Sequence, residues 1–506
     1  MTRRTGTALA LLLSLCAPVA TATAAASGAT VDANSTAPTA TAAYLAEFGA
    51  ALQQADRGDS LGASIVIDRL LVDPRLADIG IENRSHAWAA AAMVASTQKQ
   101  SAVALQRMQQ ALAINPLNAS ARLQLAWLQM VEQQQPEAAA DSVLRAIADG
   151  DGAPDMSPEM VWQLDTQLKQ QPAKRLALLQ GLFESGWKIE GIEPAELWVV
   201  LATLQAEAGQ GDKVAATLER IDAPIPLIRL RADKRFDTYL RRDDPRHDPV
   251  AAARRHIDRQ RVDTMLAPGL NEAAVELSGA LMVAGELQEV VGMTEKLAVA
   301  AAEATAAPAS KGRYVAWMLD IRSRALRRLG KPEEAVAAQQ LALRMTDPQG
   351  DTVSQNLNLA SLYVALGRPQ LARDVMQDVG SSISEYGAST QALIELRAAL
   401  QLKDAAAAQR ARDRLLANRA LTPHHYREGL LVDHRMDEAA ASLLEQLADP
   451  MERGTALFDL QDVRRAPTLP ADAQLQASWD ELKQRADVQA AVNRVGRIDS
   501  YPLFAN

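Results

Sequence analysis

The chain has 506 residues, of which 48% are hydrophobic, 23% charged and only 4% aromatic, with a formal charge of −9. This length allows several globular domains or one long array, and the low aromatic content with abundant Ala, Leu, Gln, Glu and Arg predicts a mostly α-helical protein. The acidic balance argues against general nucleic-acid binding, and a single Cys excludes a disulfide framework or a cysteine-based zinc site.

The N-terminus has the pattern of a secretory signal peptide, assigned to residues 1–26. Arg3 and Arg4 precede an apolar run over 8–16, which is shorter than the ~20 residues needed to cross a bilayer. We therefore expect export and, because the leader is of bacterial type, a periplasmic location. Small residues after the run offer A-x-A cleavage sites that end at Ala22, Ala24 or Ala26.

Three other interpretations of the leader stay open. The two arginines also fit a twin-arginine signal, although no hydrophobic residue follows them directly. Cys16 also fits lipidation, although Leu15 before it is larger than the residue that lipoprotein processing prefers. An uncleaved membrane anchor is the third. Residues 27–42 are rich in Ala, Thr and Ser without apolar periodicity, which predicts a disordered tether or a ragged mature N-terminus.

From residue 43 onward the spacing of small and apolar residues predicts consecutive helix pairs. The segment 85–118 is 34 residues long and places Ala92, Ala104 and Ala111 at positions eight, twenty and twenty-seven, with Pro116 near its end. Small residues let paired helices approach closely, and the proline ends the second helix. This pattern resembles the tetratricopeptide repeat. The resemblance implies an all-α, tetratricopeptide-like helical-hairpin solenoid that winds into a superhelix.

Other segments follow the same pattern, and together they give six clear units and about three degenerate ones. Gly330 and Gly367 fall where the first helix of a unit ends, so both are expected in a left-handed conformation. The predicted organisation is an N-terminal array over 43–222, an irregular basic seam over 223–268, a C-terminal array over 269–420, and a degenerate helix pair with a capping helix over 421–506. The capping helix is expected over 478–495.

The seam reverses the overall charge of the chain. Residues 229–263 hold 11 basic and 7 acidic side chains. Such a reversal steers an acidic partner, or else the mixed signs pair with one another in a solvated linker.

No catalytic motif stands out in the sequence. Zinc-peptidase, nucleophile-elbow and glycine-rich phosphate-binding motifs are all absent from it. Residues 424–434 contain the one cluster of metal-ligand types, which surface histidines at a repeat boundary explain best: His424, His425, Asp433 and His434. We therefore expect no catalytic residues, no metal, no cofactor and a non-enzymatic protein.

The resemblance also implies which side chains face the inner, concave side of the array. In the unit that contains Gly330, these are Trp317, Asp320, Arg324, Arg327 and Arg328. The three arginines share one helix face, which suits a carboxylate, a phosphate or an anionic sugar; the alternative is a solvated face. In other units the same positions give an apolar lining, which would grip a peptide or a helix unless it is ordinary core: Trp127, Met130 and Met93.

These features predict a periplasmic scaffold or adaptor without a transmembrane segment in its mature form. Its concave groove would bind an extended protein segment or another subunit of an envelope complex, and no nucleic acid. The alternative function is that of a repeat protein in exopolysaccharide export, in contact with an anionic glycan or an outer-membrane pore. That alternative is implied by the leader and the repeats together.

Overall fold

The structure is a computed structural model, and it describes residues 40–150, 153–304, 312–346, 352–380 and 383–505. The predicted signal peptide and most of the predicted tether lie outside these residues. The chain divides into two compact units, the first ending at Leu204 and the second beginning at Gln205.

The first unit is built of paired helices. The pairs α1–α2, α3–α4 and α5–α6 follow one another along the chain, and α8 packs against α6. The helices are α1 (Ala40–Asp56), α2 (Ser60–Leu71), α3 (Ile81–Thr97), α4 (Ser101–Ile114), α5 (Ala119–Val131), α6 (Pro136–Asp149), α7 (Pro158–Gln167), α8 (Pro172–Glu184) and α9 (Ala195–Glu207), the last of which crosses the boundary between units.

One polar network shows how neighbouring pairs of the first unit are held in register. Asn118 caps α5 by accepting a hydrogen bond from the amide of Ala121 at 2.9 Å. Its amide group donates to the Ser85 hydroxyl at 2.8 Å, and Ser85 in turn donates to the carbonyl of Ala111 at 2.8 Å. Ser85 and Ala111 are fully buried and Asn118 nearly so, so the start of one pair is tied to the end of the pair before it.

The second unit continues the paired arrangement. The pairs α15–α16, α17–α18, α19–α20 and α21–α22 pack side by side, and the first helices of successive pairs contact one another from α13 to α21. The helices are α10 (Gly211–Leu218), α11 (Pro224–Ala232), α12 (Pro249–Leu266), α13 (Glu272–Ala284), α14 (Leu287–Glu303), α15 (Gly312–Arg328), α16 (Pro332–Arg344), α17 (Val353–Ala365), α18 (Pro369–Met376), α19 (Glu385–Gln401), α20 (Ala405–Ala417), α21 (Pro423–Val432), α22 (Met436–Ala448) and α23 (Arg453–Asp459).

Residues 223–268, expected to be an irregular seam, contain the helices α11 and α12 and two short 3₁₀ turns. Many basic side chains of this segment pair with nearby carboxylates. Arg255 and Arg259 both bind Asp222, and Arg235 binds Asp233. These pairings match the interpretation of a self-paired segment better than that of an open basic surface.

The C-terminal residues form a strand, two helices and a second strand: β1 (Asp462–Arg464), α24 (Ala473–Gln484), α25 (Ala486–Val495) and β2 (Ser500–Phe504). The two strands pair in parallel. The capping helix expected over 478–495 is therefore two helices, because Arg485 has extended backbone between them (ψ 137°). Leu503 lies in a core cluster with Ile228, and Phe504 lies in another with Leu281.

Left-handed residues end the first helix of successive pairs in the second unit. Gly285, Gly330 and Gly367 have φ values of 85°, 77° and 73°, as expected for the latter two. Lys403 and His434 take the same conformation, each with φ of 58°. The turn therefore recurs where the sequence lacks glycine.

The predicted all-α fold of tetratricopeptide-like helical hairpins is confirmed by these helix pairs. Within the described part of the chain, none of the helices combines the length and apolar character that a bilayer crossing requires.

We expect replacement of a small residue at a helix contact to destabilise the second unit. Ala360 in α17 is fully buried in a core cluster, so Ala360→Leu forces the packed helices apart and lowers the free energy of unfolding by about 1–3 kcal/mol. Urea denaturation followed by circular dichroism measures this loss. The control is Ala406→Leu on the exposed face of α20, which changes the same free energy by no more than about 0.5 kcal/mol. Equal effects would contradict the packing argument.

Candidate functional site

The first helices of successive pairs in the second unit, called the inner helices here, border an open cavity of about 550 Å³ together with α23, β1 and α24. Its wall includes one residue from each of four consecutive first helices, and each lies six residues before the left-handed residue that ends its helix: Arg324, Ser361, Arg397 and Glu428. The repeat therefore places the same position of α15, α17, α19 and α21 on one surface.

Three of the five residues predicted in α15 line this cavity. Asp320 is fully buried; it accepts a hydrogen bond from the Asn358 amide at 2.8 Å and pairs with Arg324 at 3.1 Å. Arg324 is about half exposed, at 47% of its side chain, and Arg327 is 38% exposed. Both arginines thus keep guanidinium nitrogens that can reach a ligand.

Arg328 and Trp317 lie elsewhere on the same helix. Arg328 donates hydrogen bonds to the carbonyls of Met282 at 3.0 Å and Ala505 at 2.6 Å, and its guanidinium lies over the Phe504 ring at 4.6 Å. Burial, with the neighbouring arginines Arg324 and Arg327, lowers the pKa of Arg328 to about 10. Arg328 therefore fastens the C-terminal strand, while Trp317 is half-buried and lies outside the cavity wall.

A segment over residues 464–472, named the strap here, crosses the inner helices and borders the cavity. Leu469 is 5% exposed and belongs to the core cluster that contains Leu362. The amide of Ala471 donates to the carbonyl of Ala365 at 2.9 Å. Asp472 then receives two arginines, Arg327 at 3.1 Å and Arg397 in a shorter contact. An apolar anchor, a main-chain hydrogen bond and a carboxylate clamp thus hold the strap.

The other end of the cavity contains a charged cluster around His424. Its Nδ1 donates to Asp459 at 3.0 Å, its Nε2 lies 3.6 Å from Glu428, and its ring stacks on Trp479 at 5.8 Å between centroids. Arg427, which is fully buried, also binds Asp459 and lies 5.3 Å from the centroid of the same indole.

These contacts fix the charges of the cluster. Burial alone would lower the pKa of His424, but Asp459 and Glu428 together raise it to about 10. Burial would raise the pKa of Asp459, but His424 and Arg427 lower it, and His424 likewise lowers the pKa of Glu428. His424 is consequently an imidazolium at neutral pH and cannot accept a proton there as a general base.

The predicted histidine cluster does not converge. His425 faces Thr390 at 3.1 Å and the edge of Tyr386, whereas His434 is exposed at its turn. Burial and the nearby His424 lower the pKa of His425. Among the described residues, no three His, Cys, Asp or Glu side chains are arranged so that they could hold a metal ion.

The apolar residues predicted to line a groove belong to the first unit. Met93 is 5% exposed and Met130 is 2% exposed, so both are core side chains. Trp127 is half-buried and packs against the cluster that contains Met93. Their positions correspond to the core alternative that the sequence left open.

The sequence pattern did not predict Arg397, Asp472 and Trp479 as site residues, nor the pairing of His424 with Asp459. Alignment of the units on their left-handed turns would have found Arg397 and Glu428, but Lys403 and His434 occupy those turns and carry no glycine signal. Asp472 and Trp479 come from the C-terminal region, which lies outside the repeat pattern.

We expect Arg328→Ala to destabilise the protein because it removes two partly buried hydrogen bonds from a charged donor. The free energy of unfolding should fall by about 2–3 kcal/mol. Arg368→Ala is the matched control, since Arg368 pairs with Glu333 at an exposed position and its loss costs only about 0–1 kcal/mol. Thermal unfolding of the two variants measures the difference, and a destabilisation no larger for Arg328→Ala would contradict its fastening role.

The charge of His424 should make stability depend on pH. Because folding raises its pKa from 6.5 to about 10, its stabilisation is complete below pH 6.5 and is lost as the pH rises to about 10. The melting temperature of wild type should therefore exceed that of His424→Gln most at pH 6 and least near pH 10. His434→Gln, at an exposed turn, serves as the control with a flat difference. A wild-type advantage that grows with pH would contradict the assignment.

Comparisons with known proteins gave structural matches alone. No protein-family model and no curated protein match the sequence. The P58(IPK) TPR domain aligns over 81% of this chain and 100% of its own, with 14% identity and a TM-score of 0.20. The APC/C hetero-tetramer Cut9-Hcn1 aligns over 89% and 83%, with 14% identity and a TM-score of 0.29. Naa15/Naa10 bound to HypK-THB aligns over 89% and 80%, with 12% identity and a TM-score of 0.28.

The consecutive helix pairs, the small residues at their helix contacts and the recurring left-handed turns give the chain an all-α fold of tetratricopeptide-like helical hairpins.

Proposed function

We propose that this protein is a secreted, periplasmic binding scaffold whose second unit holds an extended segment of a partner protein. The observation that carries the proposal is the way the inner helices hold the strap. They bind a non-helical stretch of chain, which ends in a turn, through Leu469, through the Ala471 amide and through Asp472. These are the three means by which repeat proteins grip peptides: apolar anchors, main-chain hydrogen bonds and charged pairs.

The cavity beside the strap is the place for a partner segment. Its volume of about 550 Å³ lies in the range of pockets that enclose a compact ligand. Polar side chains, Asn358 and Ser361 of α17 among them, line it together with the apolar Leu362. A short stretch of an envelope protein in extended form suits this mixture, because its main chain needs hydrogen-bond partners on both sides.

The periplasmic location rests on the leader alone. Its basic start, short apolar run and small residues direct export across the inner membrane, and its removal would take away Cys16. A chain without thiols suits an oxidising compartment, because it has no sulfur to mispair.

A glycan is the second candidate ligand, and Trp479 with the amide side chains of the cavity favours it. Sugars bind on exposed aromatic faces. The indole of Trp479, however, already stacks on His424 and lies against the Arg427 guanidinium. A peptide therefore accounts for more of the side chains that line the cavity than a glycan does.

Site-specific photo-cross-linking tests the proposal. A photoreactive amino acid replaces Ser361 in the cavity or, as the control, Gln370 on the exposed side of α18, and the protein is expressed with its own leader in the bacterium. We expect discrete protein adducts from position 361 and none from position 370, because position 361 faces the cavity. Mass spectrometry identifies the adducts.

Two results would contradict the proposal. Adducts of equal yield at both positions would show that the cavity has no special part in binding. A protein that keeps its leader, beginning at residue 1, and stays outside the periplasmic fraction would exclude the exported scaffold. Carbohydrate adducts at position 361 would favour the glycan candidate instead.

A further inference from the structure

We infer that the cavity selects its partner segment by one carboxylate, an acidic side chain or a chain end, bound between Arg324 and Arg327 beside the strap. The inference rests on the proposed scaffold function and names the chemistry of the segment. It stands on the charge balance of the wall, on the open guanidinium groups and on the example of Asp472.

Among the described residues, the charged side chains of the wall and their ion-pair partners balance in number, with a single exception. Asp320 pairs with Arg324, as does Asp480 with Arg465, and Asp462 with Lys483. Asp459 and Glu428 balance Arg427 and the protonated His424.

The exception is Asp472, a single carboxylate that holds both Arg327 and Arg397. One positive charge is therefore left over at this place on the wall. A monoanion balances it, whereas a phosphate group brings about −1.5 to −2 charges and overshoots.

The two arginines keep the right donors for a carboxylate. Within the described residues, Arg324 contacts Asp320 through its Nε, and Arg327 contacts Asp472 through one terminal nitrogen. The other guanidinium nitrogens of both side chains can donate to a ligand. Both side chains line the cavity and are more than one third exposed. They lie three residues apart on one face of α15, so that their guanidinium groups can grip the two oxygens of one carboxylate.

The strap shows that this wall accepts a peptide carboxylate. Asp472 reaches Arg327 from the turn that precedes α24, and the preceding amide, that of Ala471, bonds to the inner helix α17. A partner segment that approaches from the cavity side meets the remaining nitrogens of Arg327 and those of Arg324. The cavity volume of about 550 Å³ accommodates on the order of three or four residues.

Fluorescence polarisation with the full mature protein tests the inference. The probe is a fluorescein-labelled, end-blocked peptide with the sequence Thr-Leu-Pro-Ala-Asp-Ala, which copies residues 468–473, and its match carries Asn in place of Asp. We expect the Asp peptide to bind at least tenfold tighter than the Asn peptide at low salt, because only the carboxylate neutralises the surplus charge.

Three variants locate the binding. Arg327→Gln and Arg324→Gln should each weaken the Asp peptide at least tenfold and leave the Asn peptide unchanged. Arg327→Gln disturbs folding less than Arg324→Gln does, because Asp472 still pairs with Arg397. Arg324→Gln instead removes an ion-pair partner of the buried Asp320. Arg368→Gln, outside the cavity, should bind both peptides as wild type does.

The outcomes separate this inference from the scaffold proposal. Equal affinity for the two peptides, or no change in Arg327→Gln, overturns carboxylate recognition while protein adducts at position 361 still uphold the scaffold. A third outcome is that trigalacturonate displaces the Asp peptide tenfold better than trileucine does and that position 361 gives no protein adduct. That outcome overturns both the carboxylate inference and the scaffold proposal, and it assigns the arginines to an acidic glycan. Inorganic phosphate and acetate are compared as competitors of the probe. If phosphate displaces the probe at one tenth of the acetate concentration that is needed, the preference for a monoanion is overturned.

Discussion

The helix pairs of this protein bury apolar faces against the pairs beside them, and the rest of the second unit depends on that constraint. Successive pairs must keep one register, or the small residues at the helix contacts no longer meet. Ala360 and Ala372 are fully buried at such contacts. The left-handed residue at the end of each first helix then fixes where the second helix begins. Once these positions are set, the side of the helix array that each remaining side chain of the repeat faces is also set.

This register explains how a cavity with specific binding chemistry arises in a repeat fold that by itself specifies no ligand. The position six residues before each left-handed turn faces the same side in α15, α17, α19 and α21, and it holds arginine, serine, arginine and glutamate in turn. Core positions maintain the backbone, so this position is free to vary in charge. Functional information therefore resides in the inner-face residues, while the repeat pattern encodes the scaffold.

Much of the fold followed from the sequence because its signals are local. Alanine spacing and the glycines Gly330 and Gly367 predicted the helix pairs, and the repeat frame singled out Arg324 and Arg327, which line the cavity. The degenerate units were harder, since Lys403 and His434 adopt the left-handed turn without its usual residue. Arg328 could not be separated from its neighbours, because its partners Ala505 and Phe504 lie about 180 residues away in sequence. No periodic pattern records such a contact.

The C-terminal region changes what the inner face can do. An open array offers a long groove, in which a charged side chain remains in water and its ion pairs contribute little. Here the strap and α24 close part of that groove, so that Arg397 is 10% exposed and Asp459 is 12% exposed. Partial removal of water strengthens each charge interaction and makes an unmatched charge costly. The single surplus charge at Asp472, with Arg327 and Arg397 around it, is for this reason the strongest determinant of what enters the cavity. A neutral segment leaves it unbalanced, and a segment with one carboxylate balances it.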